Sequence, residues 1–207
     1  MRVLLVSCYE LGHPPLGVAG PMGALRRAGF DVGAIDLAVD ALDAHSVRAA
    51  RLIAISVPMH TALRRGVLAA TQVRALAPGA HVCFYGLYAG LNAAALAALG
   101  AHTVLGSESE TALVELARAL AEGREPVRTS IWAPQPGQRP PAPGAPDRAG
   151  LPTLDRYARA VVEGAERLAG YVEASRGCLH HCRHCPIPPV YKGRFFVTPV
   201  EAVMDDV

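Results

Sequence analysis

Lysine is almost missing from this sequence: Lys192 is the single lysine among 20 basic residues, and the rest are arginines set beside many alanines. That balance is the mark of a GC-rich coding bias, so neither count carries functional meaning. Aromatic residues make up 5% of the chain and are nowhere interleaved with a basic run. With a net charge of only +2, this excludes the basic, stacking surface that a nucleic acid requires. No window approaches the roughly 18 unbroken apolar residues of a membrane span. The opening MRVLLVSC carries one basic residue and an apolar run too short for a signal peptide, so it reads as a first strand. Cysteines number five, an odd count with three crowded together, which is the usage of a reducing compartment rather than of a secreted disulfide framework. These absences imply a soluble, cytoplasmic protein with neither nucleic acid nor membrane as partner.

What is present begins with an alternation over residues 1–123. Short continuous apolar runs, RVLLVSC (2–8), DVGAIDL (31–37), LIAISVP (52–58), HVCFYG (81–86) and HTVLG (102–106), read as strands. Between them, segments 16–29, 61–79, 91–100 and 110–123 carry apolar residues at helical spacing and close on Gly or Pro-Gly. Strands apolar on both faces and alternating with helices predict an α/β, doubly wound parallel sheet of about five strands. Such sheets bind ligands beyond the carboxyl ends of their strands, here the loops at 9–17, 58–61, 86–91 and 106–110.

Composition then changes. Residues 124–152 hold eight prolines and no periodic apolar pattern, which predicts a partly extended, mobile linker. From 153 onward, AGYVEASRG (169–177) reads as a strand feeding a cysteine loop. TPVEAVMDDV (198–207) reads as a helix, with Thr198 as N-cap, Pro199 in the first turn and Glu201 three residues on.

The loop RGCLHHCRHCP spaces its thiols as Cys178-x3-Cys182-x2-Cys185. Cys8 and Cys83 lie inside strand-like runs and read as core. Two metal chemistries suit the loop. With one of His180, His181 or His184 it could form a Cys3His zinc knuckle on a non-catalytic binding module. Alternatively, three thiolates could hold three irons of a four-iron cluster and leave the fourth open to a small molecule. A disulfide cluster is disfavoured, because adjacent cysteines in a reducing setting stay reduced.

The spacing, set after a strand and before a helix, resembles the signature of the radical SAM superfamily. The resemblance implies a [4Fe–4S] cluster on Cys178, Cys182 and Cys185, whose open iron chelates S-adenosylmethionine. Electron transfer then yields a 5′-deoxyadenosyl radical that attacks the substrate. It also implies that residues 153–207 begin a partial TIM-type barrel, of which the chain is expected to hold only the first strand, loop and helix. As an amino-terminal piece it would be inactive alone. His184 stands where the family usually has an aromatic residue near adenine.

The upstream segment resembles the cobalamin-binding domain that precedes many radical SAM cores, through HPPLGVAGPMGALRRAGFDVGAIDL (13–37), the stretch 55–86 and GSESE (106–110). This implies cobalamin as a further cofactor, with His13, Gly17, Gly86, Gly106 and Ser107 at the cofactor positions. The customary Asp-x-His-x-x-Gly is replaced by YELGHPPLG, which shifts His13. The usual Gly-Gly after the fourth strand is replaced by YGLYAG (85–90), crowding the place where the nucleotide tail would lie. Tyr9, Glu10, His13, Pro186, Tyr191, Gly193 and Arg194 further resemble a bacterial radical SAM group named for a Cys-Sec-Ala-Glu-Pro (CUAEP) or Cys-Cys-Ala-Glu-Pro (CCAEP) tail. The expected partners are a small-molecule or peptide substrate and a reducing electron donor. No catalytic residue can be assigned from the sequence.

Overall fold

A computed structural model describes residues 1–133, 135 and 144–207. The expectation of an extended, mobile linker falls in part on positions 134 and 136–143, which lie outside the described residues.

Five strands form where the apolar runs predict them: β1 (Arg2–Ser7), β2 (Asp31–Asp36), β3 (Leu52–Ser56), β4 (His81–Tyr85) and β5 (Thr103–Leu105). A sixth, β6 (Thr129–Ser130), comes from inside the proline-rich stretch and joins the edge of β5. All pairings are parallel, in the order β2-β1-β3-β4-β5-β6. The helices are α1 (Leu16–Arg27), α2 (Ala44–Ala49), α3 (His60–Leu76), α4 (Leu87–Leu91), α5 (Ala93–Ala98) and α6 (Glu110–Ala121). The helix expected over 91–100 forms as α5, while the loop expected at 86–91 forms α4; Asn92 separates them, its side-chain amide donating to the Tyr88 carbonyl at 2.8 Å.

Because crossovers cover both faces, the strands are buried on both sides and read as continuous apolar runs. On one face Leu4, Val6, Ile53, Ile55, Val82 and Phe84 pack with residues of α2, α3 and α5. On the other, Val3, Leu5, Leu52, Ala54 and Cys83 pack against Val18, Met22 and Leu25 of α1 and Leu113 and Leu116 of α6. At roughly 1.5–3 kcal/mol for each large apolar side chain removed from water, these two layers are the main favourable term in folding.

The carboxyl-terminal part is slighter. A hairpin of β7 (Ala160–Val162) and β8 (Ala165–Arg167) precedes β9 (Ser175–Gly177), α7 (Ile187–Tyr191), β10 (Phe195–Val197) and α8 (Val200–Met204). β9 pairs antiparallel with β10. Among the described residues no barrel strand stands beside it. The expected cap of the last helix is not made. Thr198 is buried, and its backbone N–H donates to the Ala174 carbonyl at 2.9 Å, prolonging the β9–β10 ladder. α8 therefore starts after Pro199, with no side-chain cap. Among the described residues no helix is long and apolar enough to cross a membrane.

Candidate functional site at the carboxyl edge of the sheet

In the order 2-1-3-4-5 the chain changes direction between β1 and β3, and the crevice beyond their carboxyl ends is where open α/β sheets take ligands. A cleft of about 220 Å³ opens there. Its floor is Ser56, Tyr85 and Gly86, and one wall is Gly17 at the start of α1.

Two side chains shape this floor. Glu10 turns its carboxylate onto the Gly17 N–H, with oxygens at 3.1 and 3.3 Å, and so caps a helix whose preceding residue, Pro15, offers no side-chain cap. Burial pushes the Glu10 carboxyl up to about 7, although the Gly17 N–H pulls the other way. The approach is close: a Cβ at position 17 would lie 2.7 Å from both Glu10 Oε1 and Ser56 Oγ and would force those side chains to shift. Tyr85, 2% exposed, donates its hydroxyl to the Gly17 carbonyl at 2.8 Å. That carbonyl would ordinarily accept from the residue four positions on, but position 21 is Pro21, which has no N–H. Tyr85 thus supplies the donor that Pro21 withholds, and burial raises its phenol well above the usual value.

The other wall comes from the carboxyl-terminal part. Arg176, in β9, places its guanidinium among three carboxylates: Glu108 at 2.6 Å, Glu110 at 3.0 Å and Glu173. Glu108 is the hub. Its side chain is 1% exposed, it also accepts from the Tyr191 hydroxyl at 2.6 Å, and its backbone is left-handed at φ 57°. Burial alone would lower the Arg176 pKa, but the surrounding carboxylates, Glu110 and Glu108 foremost, raise it overall. Burial likewise raises Glu173, against the pull of Arg176.

The thiol loop leaves directly from this clamp. Gly177 has φ +81°, and a Cβ there would run into the Arg194 carbonyl and the Tyr191 ring, so the turn into Cys178 requires glycine. Cys178 N–H then donates to the same Arg194 carbonyl at 2.9 Å. All three loop cysteines are free; Cys178 and Cys185 are half-buried and Cys182 is exposed. His180 N–H points at Cys178 Sγ, 3.5 Å away. His181 packs its ring on Gly193, while His184 is exposed. Among the described residues no three His, Cys, Asp or Glu side chains are gathered to hold a metal ion. The chain supplies the donors on one loop without closing them around a centre.

The residues anticipated at the cofactor positions divide. Gly17, Gly86 and Ser107 line the cleft. His13 instead stacks on Tyr171, ring centroids 5.1 Å apart, and Gly106 is covered by Ile131. Sequence reasoning missed Tyr85, Glu108, Glu110, Glu173 and Arg176 as site residues. Local hints were there: Glu108 and Glu110 lie in GSESE (106–110), Tyr85 opens YGLYAG (85–90), and Arg176 immediately precedes the Gly-Cys of the loop. Its partners lie 66 and 68 positions away and leave no periodic trace.

The donor sets decide what the site can hold. Three thiols on an accessible loop fit a cluster that needs three protein ligands. The cleft is a poor fit for the nucleotide tail of a corrinoid, because Tyr85 and Glu10 narrow it to about 220 Å³ and Glu10 takes the Gly17 N–H.

Fold and site together define an open, doubly wound α/β domain carrying a three-cysteine loop clamped to its ligand-binding edge. Among solved structures it is similar to TsrM from Kitasatospora setae, a radical S-adenosylmethionine methyltransferase. With cobalamin and a [4Fe–4S] cluster bound, that protein superposes with a TM-score of 0.65 at 22% identity, over 99% of this chain and 46% of the other. With tryptophan substrate and a SAM analogue bound, the values are 0.63, 21%, 99% and 44%. The chain thus spans less than half the length of these neighbours, and the likeness establishes a shared fold. No family model and no curated protein sequence matches it.

Proposed function

We propose that the chain is the amino-terminal part of a radical S-adenosylmethionine enzyme in which Cys178, Cys182 and Cys185 ligate a [4Fe–4S] cluster. The observation that carries this reading is the seat of the loop. Three free thiols begin two residues after Arg176, which is bound to the carboxyl edge of a sheet shared in fold with TsrM. When bound, such a cluster supplies an electron and an iron open to S-adenosylmethionine. The chain's own residues do the positioning. Arg176 and Glu108 fix the end of β9, Gly177 turns the loop outward, and the His180 N–H orients Cys178 Sγ. His184, exposed beside Cys185, is the residue we assign to the adenine side of S-adenosylmethionine.

The fold supports a cobalamin-type origin for residues 1–123, in a domain whose cleft is narrowed by Tyr85 and Glu10. Membership of the CUAEP/CCAEP group rests on the sequence resemblance alone. A cytoplasmic setting with a low-potential electron donor and a small-molecule or peptide substrate completes the proposal.

Anaerobic reconstitution tests it. The chain should take up about four irons with matching acid-labile sulfide, and Cys182→Ala should lose most of both. Stoichiometric zinc with neither iron nor sulfide would overturn the reading in favour of a zinc knuckle.

A further inference from the structure

The cleft at the switch point sits where a sheet of this kind ordinarily takes a phosphate-bearing ligand, with its anion over a helix N-terminus. Three observations show that the position is already taken. The anion site at the start of α1 holds the chain's own Glu10 carboxylate, accepting from Gly17 N–H at 3.1 and 3.3 Å. The floor is filled by the Tyr85 ring, and its hydroxyl cannot leave the Gly17 carbonyl without stranding an acceptor that Pro21 is unable to serve. The remaining wall carries Glu108, Glu110 and Glu173, and the one guanidinium among them, Arg176, is paired with all three. A phosphate entering beside α1 would meet the carboxylates of Glu10, Glu108, Glu110 and Glu173, with the Gly17 N–H already taken by Glu10 and Arg176 already paired. The open space, about 220 Å³, is also below the roughly 300–1,000 Å³ of ordinary small-molecule pockets.

We propose that Tyr85 and Glu10 are specificity-determining residues that close the cleft to phosphate-bearing ligands, the nucleotide tail of a corrinoid among them, and admit only a small group without phosphate. The closure is built into the backbone by the Pro21–Tyr85 complementarity, so it is a property of the folded chain and does not wait for a ligand. It does not turn on which metal the thiol loop binds, because the two residues that close the cleft, Glu10 and Tyr85, lie outside that loop.

The test uses the whole chain, purified without iron, titrated with cyanocobalamin and with dicyanocobinamide, which lacks the nucleotide tail. The wild type should bind the two with affinities within about threefold of each other, or bind neither. Tyr85→Ala should tighten cyanocobalamin by about tenfold or more and leave cobinamide unchanged. Glu10→Gln removes the charge yet keeps an oxygen for the Gly17 N–H, and should shift the ratio the same way. Should Tyr85→Ala fail to melt cooperatively, the Glu10→Gln ratio decides. A wild-type preference for cyanocobalamin of about tenfold or more, or folded variants that leave the ratio where it was, would overturn the proposal. Because no iron is present, neither result touches the cluster reading, which the metal and sulfide assay decides separately.

Discussion

Tyr85 and Pro21 are 64 positions apart and share one acceptor. Pro21 sits in the interior of α1 and removes the hydrogen bond owed to Gly17, while Tyr85 reaches from the end of β4 to replace it. The pairing makes a sharp prediction. Tyr85→Phe leaves the part-buried Gly17 carbonyl without its donor and should destabilise the fold by about 1 kcal/mol, read from the midpoint of urea unfolding. In a Pro21→Ala background the new backbone N–H can serve Gly17, so the same substitution should cost about 1 kcal/mol less. Purely additive effects would show that the tyrosine acts through packing alone. Cys83 and Cys8, by contrast, are inert at this scale: burial raises both thiols, Cys8 to about 12.

At the scale of elements, Arg176 decides whether β9 and its thiol loop stay on the sheet. β9 is three residues long and pairs with one short strand, so beside the Tyr191–Glu108 hydrogen bond, the stacking of His13 on Tyr171 and the packing of Trp132 on Tyr191 and Phe196, the Arg176 ion pairs are its strongest tie. Arg176→Gln would leave the Glu108 carboxylate, 1% exposed, with the Tyr191 hydroxyl as its remaining donor. Breaking such a buried pair costs about 3–5 kcal/mol. Here the loss should appear as release of the carboxyl-terminal part, with faster amide exchange over β9, α7 and β10, while the sheet keeps its protection. Uniformly faster exchange would mean that the clamp belongs to the core instead.

The elements also show what the sequence could announce. Five parallel strands were legible because burial on both faces writes itself as an unbroken apolar run. β6, with two residues, is too short to carry any period. The hairpin β7–β8 had a readable cue in Glu163-Gly164, where both residues have positive φ as a two-residue turn of the favoured hand requires. Its strands were hidden because each is three residues long, too short to carry a period, and both are largely exposed. Thr198 had the right local chemistry for a cap, but the β9–β10 ladder claimed it first. The three cysteines were legible as a motif from spacing alone. Their clamp was not, since ion pairs between distant segments leave no local pattern.

For the molecule as a whole, the two edges of the sheet respond to acid in opposite senses. At the amino edge, burial, with His102 adding to it, pushes His81 down to about 4; its Nε2 lies 2.9 Å from Thr103 Oγ1, and His102 Nδ1 accepts the Val82 N–H at 2.9 Å. A histidine held neutral gives stability that is present above its ordinary value of 6.5 and is lost as pH falls from there toward 4. At the carboxyl edge, Glu10 is raised from 4.5 to about 7, so its buried charge weakens the fold above pH 7 and that penalty fades as pH falls toward 4.5. Glu173 is raised in the same sense. The opposition separates the two effects by mutation. Glu10→Gln should stabilise the chain at pH 8 by an amount on the order of 3 kcal/mol at most, and by almost nothing at pH 4.5. His81→Asn should flatten the loss between pH 6.5 and 4 while leaving the alkaline side as it was. Melting curves of the three proteins from pH 4 to 8 check both limbs at once. If Glu10→Gln shifts the melting temperature equally at both ends, the carboxyl edge does not carry the buried charge that closes the cleft.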